Sequence, residues 1–313
     1  MELQHGLESL PIGDGATVVT VGFFDGVHLG HQAVFRRTVE VARERGLRSA
    51  VVTFDRHPRE TLTPGREPKL LTTPDRKARL IEAAGVDVLL VLRFDRAFSL
   101  LPAEEFVRRV LADGLHSQHV VVGANFTFGH EARGTVETLR TLGPDGFTAE
   151  EVPIFELDGR PVSSSSIREA LAAGELEWPT RALGRRYAVD GTVVTGAGRG
   201  VDLGFPTANL GTDPRVLLPK TGIYAGRAFI EDRPHVAAIS VGTNPTFGRE
   251  PVHVEAYLLD FDGELHGEPL TVEFWARLRD EERFDSAEAL ALAMADDVRR
   301  TRELVPAPQG KPA

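Results

Sequence analysis

The chain has 313 residues, of which 42% are hydrophobic and 26% charged, values typical of a soluble protein with about two globular domains. Its net charge of -10 disfavours a general nucleic-acid-binding protein, which would carry a basic face, and the absence of cysteine excludes disulfides and thiolate chemistry. No apolar run approaches the ~18 residues of a membrane span and no signal peptide is evident, so we expect a cytoplasmic protein without nucleic-acid or membrane partners.

The N-terminal half alternates strand-like and helix-like runs. After a lead-in strand within residues 1–16, buried strands are predicted at residues 18–21, 50–54, 86–92, 119–122 and 149–152. Helices are predicted at residues 32–45, 74–85, 102–111 and 135–143, and a mobile loop at 59–69. This alternation is typical of a doubly wound, Rossmann-like parallel sheet, in which ligands bind beyond the carboxyl ends of the strands.

The first buried strand leads into the most informative stretch of the chain, VVTVGFFDGVHLGH, from Val18 to His31. Its glycines permit a tight turn, and the helix that follows presents free N–H groups, which favour an anion. His28 and His31 are three residues apart and share a face if the helix has begun. Surface or capping roles are the alternative, and zinc is disfavoured because no third ligand lies close in sequence. Phosphate binding is the preferred interpretation.

A run of serines, Ser163 to Ser166, ends at Ile167 and Arg168 and leads into a helix predicted at residues 169–173. Hydroxyl groups and an arginine at the start of a helix suit a second phosphate contact. A hydroxyl-rich linker or a helix cap is the alternative interpretation.

The pattern changes near residues 179–184, which predicts a domain of residues 1–182 and a domain of residues 183–313. Short strands separated by turns are predicted at residues 186–194, 222–230, 235–241, 252–261 and 270–277, followed by a helix at 286–304. This pattern predicts an antiparallel β-barrel with a terminal helix.

Two polar features stand out in the C-terminal half. The motif Gly204-Phe205-Pro206-Thr207-Ala208-Asn209 follows a glycine-rich segment, residues 196–200, which lacks the lysine of a Walker A loop. Glu255 lies on a predicted strand, where a carboxylate is either a base or an ordinary solvent-facing group. Glu268 and Glu273 remain open as alternatives from pattern alone.

The stretch GFFDGVHLGH resembles the HxGH signature of the nucleotidyltransferase superfamily, and PTAN at residues 206–209 resembles the PTAN motif of riboflavin kinases. From about residue 17 to about residue 304 the chain is similar to the bacterial bifunctional riboflavin kinase/FAD synthetases. The resemblance implies that the barrel phosphorylates riboflavin to FMN with ATP. It implies that the N-terminal domain adenylylates FMN to FAD and releases pyrophosphate. We expect Mg²⁺ as cofactor, ATP, riboflavin and FMN as small-molecule partners, and a monomer or weak homo-oligomer.

The resemblance also implies roles for individual residues. Glu255 would be the catalytic base of the kinase, and Thr207 and Asn209 would bind Mg²⁺. His28 and His31 would act on the phosphates in the N-terminal domain. The other residues implied in ATP and phosphate binding are Gly22, Phe24, Asp25, Gly30, Asn125, Ser164, Ser165, Arg168, Gly204 and Pro206. An enzyme with one active domain, a nucleotide-binding sensor and a nucleotidyltransferase for another phosphate remain open as alternatives.

Overall fold

The computed structural model describes residues 1–13, 15–143, 146–196, 203–243 and 252–307. The chain divides into two compact units, Met1–Ser164 and Ser165–Ala313. This division precedes the expected boundary between residues 182 and 183, which stays a prediction. Residues 179–184, where the pattern of the sequence changes, contain most of a short helix.

The N-terminal unit is built on a six-stranded parallel sheet, as the sequence predicts. Its strands are β1 (Glu2–His5), β2 (Thr17–Val21), β3 (Arg48–Phe54), β4 (Val88–Leu92), β5 (Ser117–Gly123) and β6 (Thr148–Val152), in the order β1-β4-β3-β2-β5-β6. The chain passes from β2 to β3 and β4 on one side and then returns to β5 on the other side. The switch point of the sheet therefore lies at the carboxyl ends of β2 and β5, where ligands bind in open α/β sheets.

The helices of this unit follow the predicted alternation, with additions. They are α1 (Leu29–Arg45), α2 (Pro58–Leu62), α3 (Pro74–Ala83), α4 (Arg96–Ser99), α5 (Ala103–Phe106) and α6 (Val136–Leu142). The segment Val107–Ala112 continues α5 as π-helix, and a two-stranded hairpin is formed by β7 (Glu156–Leu157) and β8 (Arg160–Pro161). The expected loop at residues 59–69 begins instead with α2, which His57 and Glu60 cap reciprocally.

Apolar packing covers both faces of the sheet. Val19 of β2 packs with Val52 of β3 in a cluster on one face. Val18 packs with Val34 and Ala42 of α1 on the opposite face. Because neighbouring residues of a strand point to opposite faces, a strand buried on both sides reads as a continuous apolar run, as β2 does.

The second unit contains all but the first residue of α7 (Ser164–Ala173), α8 (Glu177–Leu183) and a closed antiparallel barrel, which confirms the predicted C-terminal fold. The barrel strands are β9 (Ala188–Val194), β10 (Ala208–Thr212), β11 (Gly222–Ile230), β12 (Arg233–Gly242), β13 (His253–Leu258) and β14 (Pro269–Arg279), in the order β10-β13-β12-β11-β14-β9. The short strand β10 was not predicted. The terminal helix α9 (Ala287–Leu304) matches the expectation closely.

The barrel strands alternate between an apolar interior and a more polar outer face. In β13, Val254 and Ala256 are fully buried, whereas His253, Glu255 and Tyr257 are half-buried and lie on the outer face. The alternation places any chemistry carried by Glu255 on the outside of the barrel.

Helix α9 packs on the barrel through a buried ion pair. Nε and Nη2 of Arg279 in β14 donate to the carboxylate of Asp297, at 3.1 and 2.7 Å. The side chain of Asp297 is 6% exposed and that of Arg279 is 18% exposed. This bidentate contact fixes the helix to the strand.

Candidate functional site

The turn between β2 and α1, residues 22–28, starts at the switch point of the sheet. Its backbone enters the left-handed region at Phe24 (φ 55°), Gly26 (φ 79°) and Val27 (φ 41°). This conformation is unfavourable for the two residues that carry side chains, and such strain is concentrated at functional sites. A Cβ at Gly22 would lie 2.7 Å from the ring of Phe24, so the ring can occupy its place because residue 22 is glycine.

Asp25 anchors the turn from within. Its carboxylate is buried and accepts hydrogen bonds from the backbone N–H groups of Leu71, at 2.9 and 3.0 Å, and of Thr72, at 3.2 Å. The hydroxyl of Thr72 accepts from the N–H of Gly26 at 3.3 Å. These contacts tie the β2–α1 turn to the segment before α3, so Asp25 acts on the shape of the turn.

His28 and His31 lie together at the start of α1. His28 is the N-cap residue, and its Nδ1 accepts a hydrogen bond from the backbone N–H of His31 at 3.3 Å. The two imidazole rings are stacked, with centroids 3.5 Å apart, and the ring of Phe24 lies edge-on to His31 at 5.2 Å. Since Nδ1 of His28 accepts, the neutral ring carries its proton on Nε2, which is then a donor. The expected shared face of the two histidines is present.

Gly30 and Ser164 shape the same place. A Cβ on Gly30 would lie 3.1 Å from the ring of His28, so glycine allows that imidazole to lie against the first turn of α1. The hydroxyl of Ser164 donates to the backbone oxygen of Asp25 at 2.9 Å. Ser164 therefore supports the β2–α1 turn directly.

The remaining predicted phosphate residues lie on two elements. Asn125 follows β5, the strand that pairs with β2, and it is exposed with a φ of 65°, a conformation that asparagine tolerates well. It thus lies at the switch point, like the turn. Ser165 and Arg168 belong to α7, where Ser165 is exposed and Arg168 half-buried.

Beside the β2–α1 turn lies an aromatic cavity that the sequence analysis did not predict. Its volume is about 510 Å³, and its lining includes Val21, the last residue of β2. The aromatic residues that line it are Phe54, Phe94, Phe98, Phe106, Phe126 and Phe128. The rings of Phe126 and Phe128 are stacked at 5.6 Å. The Phe-Thr-Phe sequence after β5 was the available signal, since aromatic residues beyond a strand end can line a ligand pocket.

On the barrel, a polar cluster forms around Glu255. The hydroxyl of Thr207 donates to Oε2 of Glu255 at 3.1 Å, and Nε2 of His253 lies 3.1 Å from Oε1. Asn209 of β10 is the residue directly opposite Glu255 across the β10–β13 pair. Burial raises the pKa of Glu281. A hydrogen bond from the backbone N–H of Thr243 and the charge of His253 act in the opposite direction. Neither His253 nor Glu281 was predicted from the sequence.

The donors of this cluster fit a hard divalent cation. Thr207 and Asn209 contribute a hydroxyl and an amide oxygen next to a carboxylate, which is the oxygen chemistry that Mg²⁺ prefers. A Cβ at Gly196 would lie 1.9 Å from the Asn209 side chain, so a glycine leaves room for the amide there. Gly204, with φ 82°, and Pro206 lead the chain into this cluster. Residues 197–200 of the glycine-rich segment lie outside the described residues.

The two alternative carboxylates are placed differently. Glu268 is exposed at the turn before β14, and Glu273 lies on β14 beside Trp275, whose indole N–H donates to it at 3.4 Å. Strand β14 pairs with β9 and β11, and so it contacts neither β10 nor β13 by hydrogen bonds.

A parallel α/β unit with paired imidazoles at a helix start, joined to a barrel with an oxygen-donor cluster, defines a two-domain phosphate-transferring enzyme. Comparison with known families also finds two parts: the model of the FAD synthetase family matches residues 12–166, and the model of the riboflavin kinase family matches residues 183–305.

Full-length relatives agree. A bifunctional riboflavin kinase/FMN adenylyltransferase of Pseudomonas fluorescens is 41% identical, over 97% of this chain and 98% of its own length. Enzymes of the same name from Listeria monocytogenes and Escherichia coli K12 are 36% and 34% identical, each over 96% of this chain and 96% and 95% of their own. The chain belongs to the bifunctional riboflavin kinase/FMN adenylyltransferase family.

Among the solved structures that match, one shares the fold over nearly the whole chain. It is a Streptococcus pneumoniae crystal structure entitled macrolide-efflux protein, with a TM-score of 0.89, 30% identity and coverage of 97% of this chain and 100% of that one. In the part of the present chain that the structure describes, no helix is both long and apolar enough to span a membrane.

Proposed function

We propose that the chain carries out two successive reactions with ATP: phosphorylation of riboflavin to FMN on the barrel and adenylylation of FMN to FAD in the N-terminal unit. Family membership supports both reactions. The observation that carries the residue assignment is the presence of two separate phosphate-type sites, one at the start of α1 and one around Glu255.

In the kinase reaction, Glu255 accepts the proton of the ribityl 5′-hydroxyl as that oxygen attacks the γ-phosphorus of ATP, and ADP leaves. Its position on a strand whose inward neighbours are fully buried keeps the carboxylate in place. Glu273 is less suitable because its strand does not border β10 or β13. This geometry favours Glu255 over the alternatives.

Thr207 and Asn209 are the residues that would hold Mg²⁺. The ion supplies charge neutralisation to the phosphates of ATP when it is bound. The hydroxyl proton of Thr207 is directed to Glu255, so its oxygen lone pairs remain available as ligands. Gly204 and Pro206 position this pair and the backbone beside the phosphates.

In the adenylylation, the FMN phosphate attacks the α-phosphorus of ATP and pyrophosphate leaves. His28 and His31, together with the N–H groups of α1, stabilise the charge on the phosphates. We assign Asn125, Ser165 and Arg168 to further phosphate contacts. Gly22, Phe24, Asp25, Gly30 and Ser164 shape the turn that holds the histidines.

The aromatic cavity beside the β2–α1 turn is the place for the isoalloxazine ring of FMN. Its volume of about 510 Å³ lies within the usual range of small-molecule pockets, and its phenylalanines offer stacking partners. The cavity and the turn share the carboxyl end of β2, and we therefore assign the phosphate of a flavin in the cavity to the side of the histidines.

Two variants separate the two reactions. The protein is incubated with riboflavin, ATP and MgCl₂, and the flavins are resolved by chromatography. E255Q should stop formation of FMN but still convert supplied FMN to FAD, whereas H28A should accumulate FMN. E268Q is the matched control and should keep both activities. Absence of both FMN and FAD with the unaltered protein would refute the proposal.

The oligomeric state, the cellular location, the requirement for Mg²⁺ and the domain boundary stay predictions. Size-exclusion chromatography with light scattering tests whether the protein is a monomer or a weak homo-oligomer, and cell fractionation tests the cytoplasmic location. Loss of flavin turnover on chelation, restored by added Mg²⁺, tests the metal. Expression of residues 1–182 and 183–313 as separate chains tests the domain boundary.

A further inference from the structure

Lys77 is a buried cation behind the β2–α1 turn. It lies on α3, is 6% exposed, and its ammonium group donates to three oxygens. These are the carbonyl oxygen of Phe23 at 3.1 Å, the hydroxyl of Thr53 at 3.1 Å and the carbonyl oxygen of Phe54 at 3.3 Å. A buried lysine requires such a set of partners, because an uncompensated charge in the interior is costly.

The three acceptors belong to two segments that border the site, the β2–α1 turn and the end of β3. Phe23 lies in the β2–α1 turn, and its carbonyl oxygen also accepts from Thr53 at 3.1 Å. Two donors therefore fix the peptide group that precedes Phe24, the residue with a φ of 55°. Fixing that peptide holds the turn in its strained conformation.

The third acceptor connects Lys77 to the aromatic cavity. Phe54 is the last residue of β3, and its ring lines the cavity and packs against Phe94 at 5.1 Å and Phe98 at 5.7 Å. The ring of Phe23 lies 4.4 Å from the ammonium nitrogen, a cation–π contact. One side chain thus joins the phosphate turn to the cavity.

We propose that Lys77 is a positioning residue for FMN adenylylation: its protonated amine fixes the β2–α1 turn relative to the flavin cavity. This inference rests on the proposed adenylylation at the turn. Loss of the lysine, or of its proton, leaves the Thr53 hydroxyl as the donor that still links β3 to the turn, and the phosphates of FMN and ATP are then less well aligned.

The surroundings of Lys77 make its proton sensitive to pH. Burial lowers the pKa of Lys77 to about 8, although the carboxylates of Asp25 and Asp55 act in the opposite direction. Asp55 is itself paired with Arg56 at 2.8 Å, and His57 contacts the ring of Phe23 from another side, at 4.9 Å. Above about pH 8 the neutral amine has two hydrogens for three acceptors, so one contact of the three is lost.

The test compares K77M with the control R79M, which changes an exposed cation on the same helix. FMN adenylylation and riboflavin phosphorylation are measured on each preparation between about pH 6.5 and about pH 9.5. For the unaltered protein we expect adenylylation to decline above about pH 8 and phosphorylation not to share that decline. In K77M we expect kcat for adenylylation to fall about tenfold or more, the remaining rate to lack the decline, and phosphorylation to be unchanged.

Two results would overturn the proposal: K77M with the kcat of the unaltered protein, or adenylylation by the unaltered protein that shows no alkaline decline of its own. The second result decides the question even if K77M does not fold. Failure of the proposed function looks different, because the unaltered protein would then form no FAD at any pH.

Discussion

Thr207 donates a hydrogen bond of 3.1 Å to Glu255, and this contact joins the PTAN motif to the strand that carries the proposed base. Two residues far apart in the sequence, one before β10 and one in β13, are brought together because β10 and β13 are neighbours in the barrel. The contact orients the carboxylate and the hydroxyl at the same time, so each of the two residues depends on the other.

Removing only the hydroxyl tests this contact. T207V keeps the shape of the side chain but loses both the donor to Glu255 and the oxygen ligand, so riboflavin phosphorylation should fall by about 100-fold or more. T207S retains the oxygen and should keep most of the activity. Steady-state FMN formation measures the effect, and equal rates for T207V and T207S would contradict the assignment.

The capping role of His28 can be separated from its role at the phosphates. H28N retains a good N-cap side chain, so its thermal stability should stay near that of the unaltered protein, but FAD formation should fall because the imidazole is gone. H28A should lose about 1 kcal/mol of stability as well. Calorimetry and FAD formation are measured together, and full FAD formation by H28N would show that the ring is not needed.

The aromatic cavity predicts a change in flavin binding alone. F126A removes one of the stacked rings at the cavity wall, so KM for FMN in adenylylation should rise about tenfold, while KM for riboflavin in the kinase reaction should not change. L142A, which truncates an exposed side chain of α6, is the control. An unchanged KM for FMN in F126A would argue against flavin binding in this cavity.

The ion pair between Arg279 and Asp297 predicts a loss of stability in the second unit. D297A leaves the Arg279 guanidinium without its bidentate partner, at an expected cost of about 3–5 kcal/mol. D296A, which removes an exposed carboxylate of the same helix, should have a much smaller effect. Both tryptophans, Trp178 and Trp275, belong to this unit, so their fluorescence in urea reports its unfolding. Equal midpoints for the two variants would contradict the prediction.

Lys77 also predicts how stability depends on pH. Its pKa in the folded protein, about 8, lies below the ordinary value of 10.5, so the folded chain releases this proton first. Between these values the unfolded chain binds more protons, and the free energy of unfolding should rise with pH, by on the order of 3 kcal/mol at most. We therefore expect the free energy of unfolding of the unaltered protein minus that of K77M to increase over this pH range, as measured by circular dichroism in urea. A decrease in the value for the unaltered protein minus the value for K77M would contradict the prediction. A free energy of unfolding of the unaltered protein that stays positive over this range would show that the alkaline loss of adenylylation is not caused by unfolding.

The sequence predicted the features that depend on neighbouring residues. The apolar run of β2, the glycine turn and the start of α1 lie within one continuous stretch, so the pattern of that stretch was sufficient. Thr73, the N-cap of α3, is followed directly by Pro74, which is likewise a local signal for the start of a helix. These elements needed no knowledge of distant partners.

The features that were missed depend on contacts between distant segments. Strand β10 has the sequence ANLGT, which has little intrinsic β-propensity, and it is a strand because β9 and β13 pair with it on both sides. The aromatic cavity combines residues from β3, α4, α5 and the segment after β5, and no single stretch shows them together. Lys77 looked like an ordinary helix residue, since only the packing of α3 against Phe23 and Thr53 buries it.

The two sheets differ in what they expose along their borders. In the barrel, every strand has a neighbour on both sides. Among the residues that the structure describes, no further strand pairs with the outer edge of β1 or of β6 in the parallel sheet, so each leaves one row of backbone N–H and C=O groups without a strand partner. Both outer strands carry glutamates, a charge that discourages a further strand from joining. We therefore expect partly unfolded copies of the protein to aggregate through the edge strands of the N-terminal sheet. Neutralising the glutamates of β1 and β6 should accelerate this aggregation.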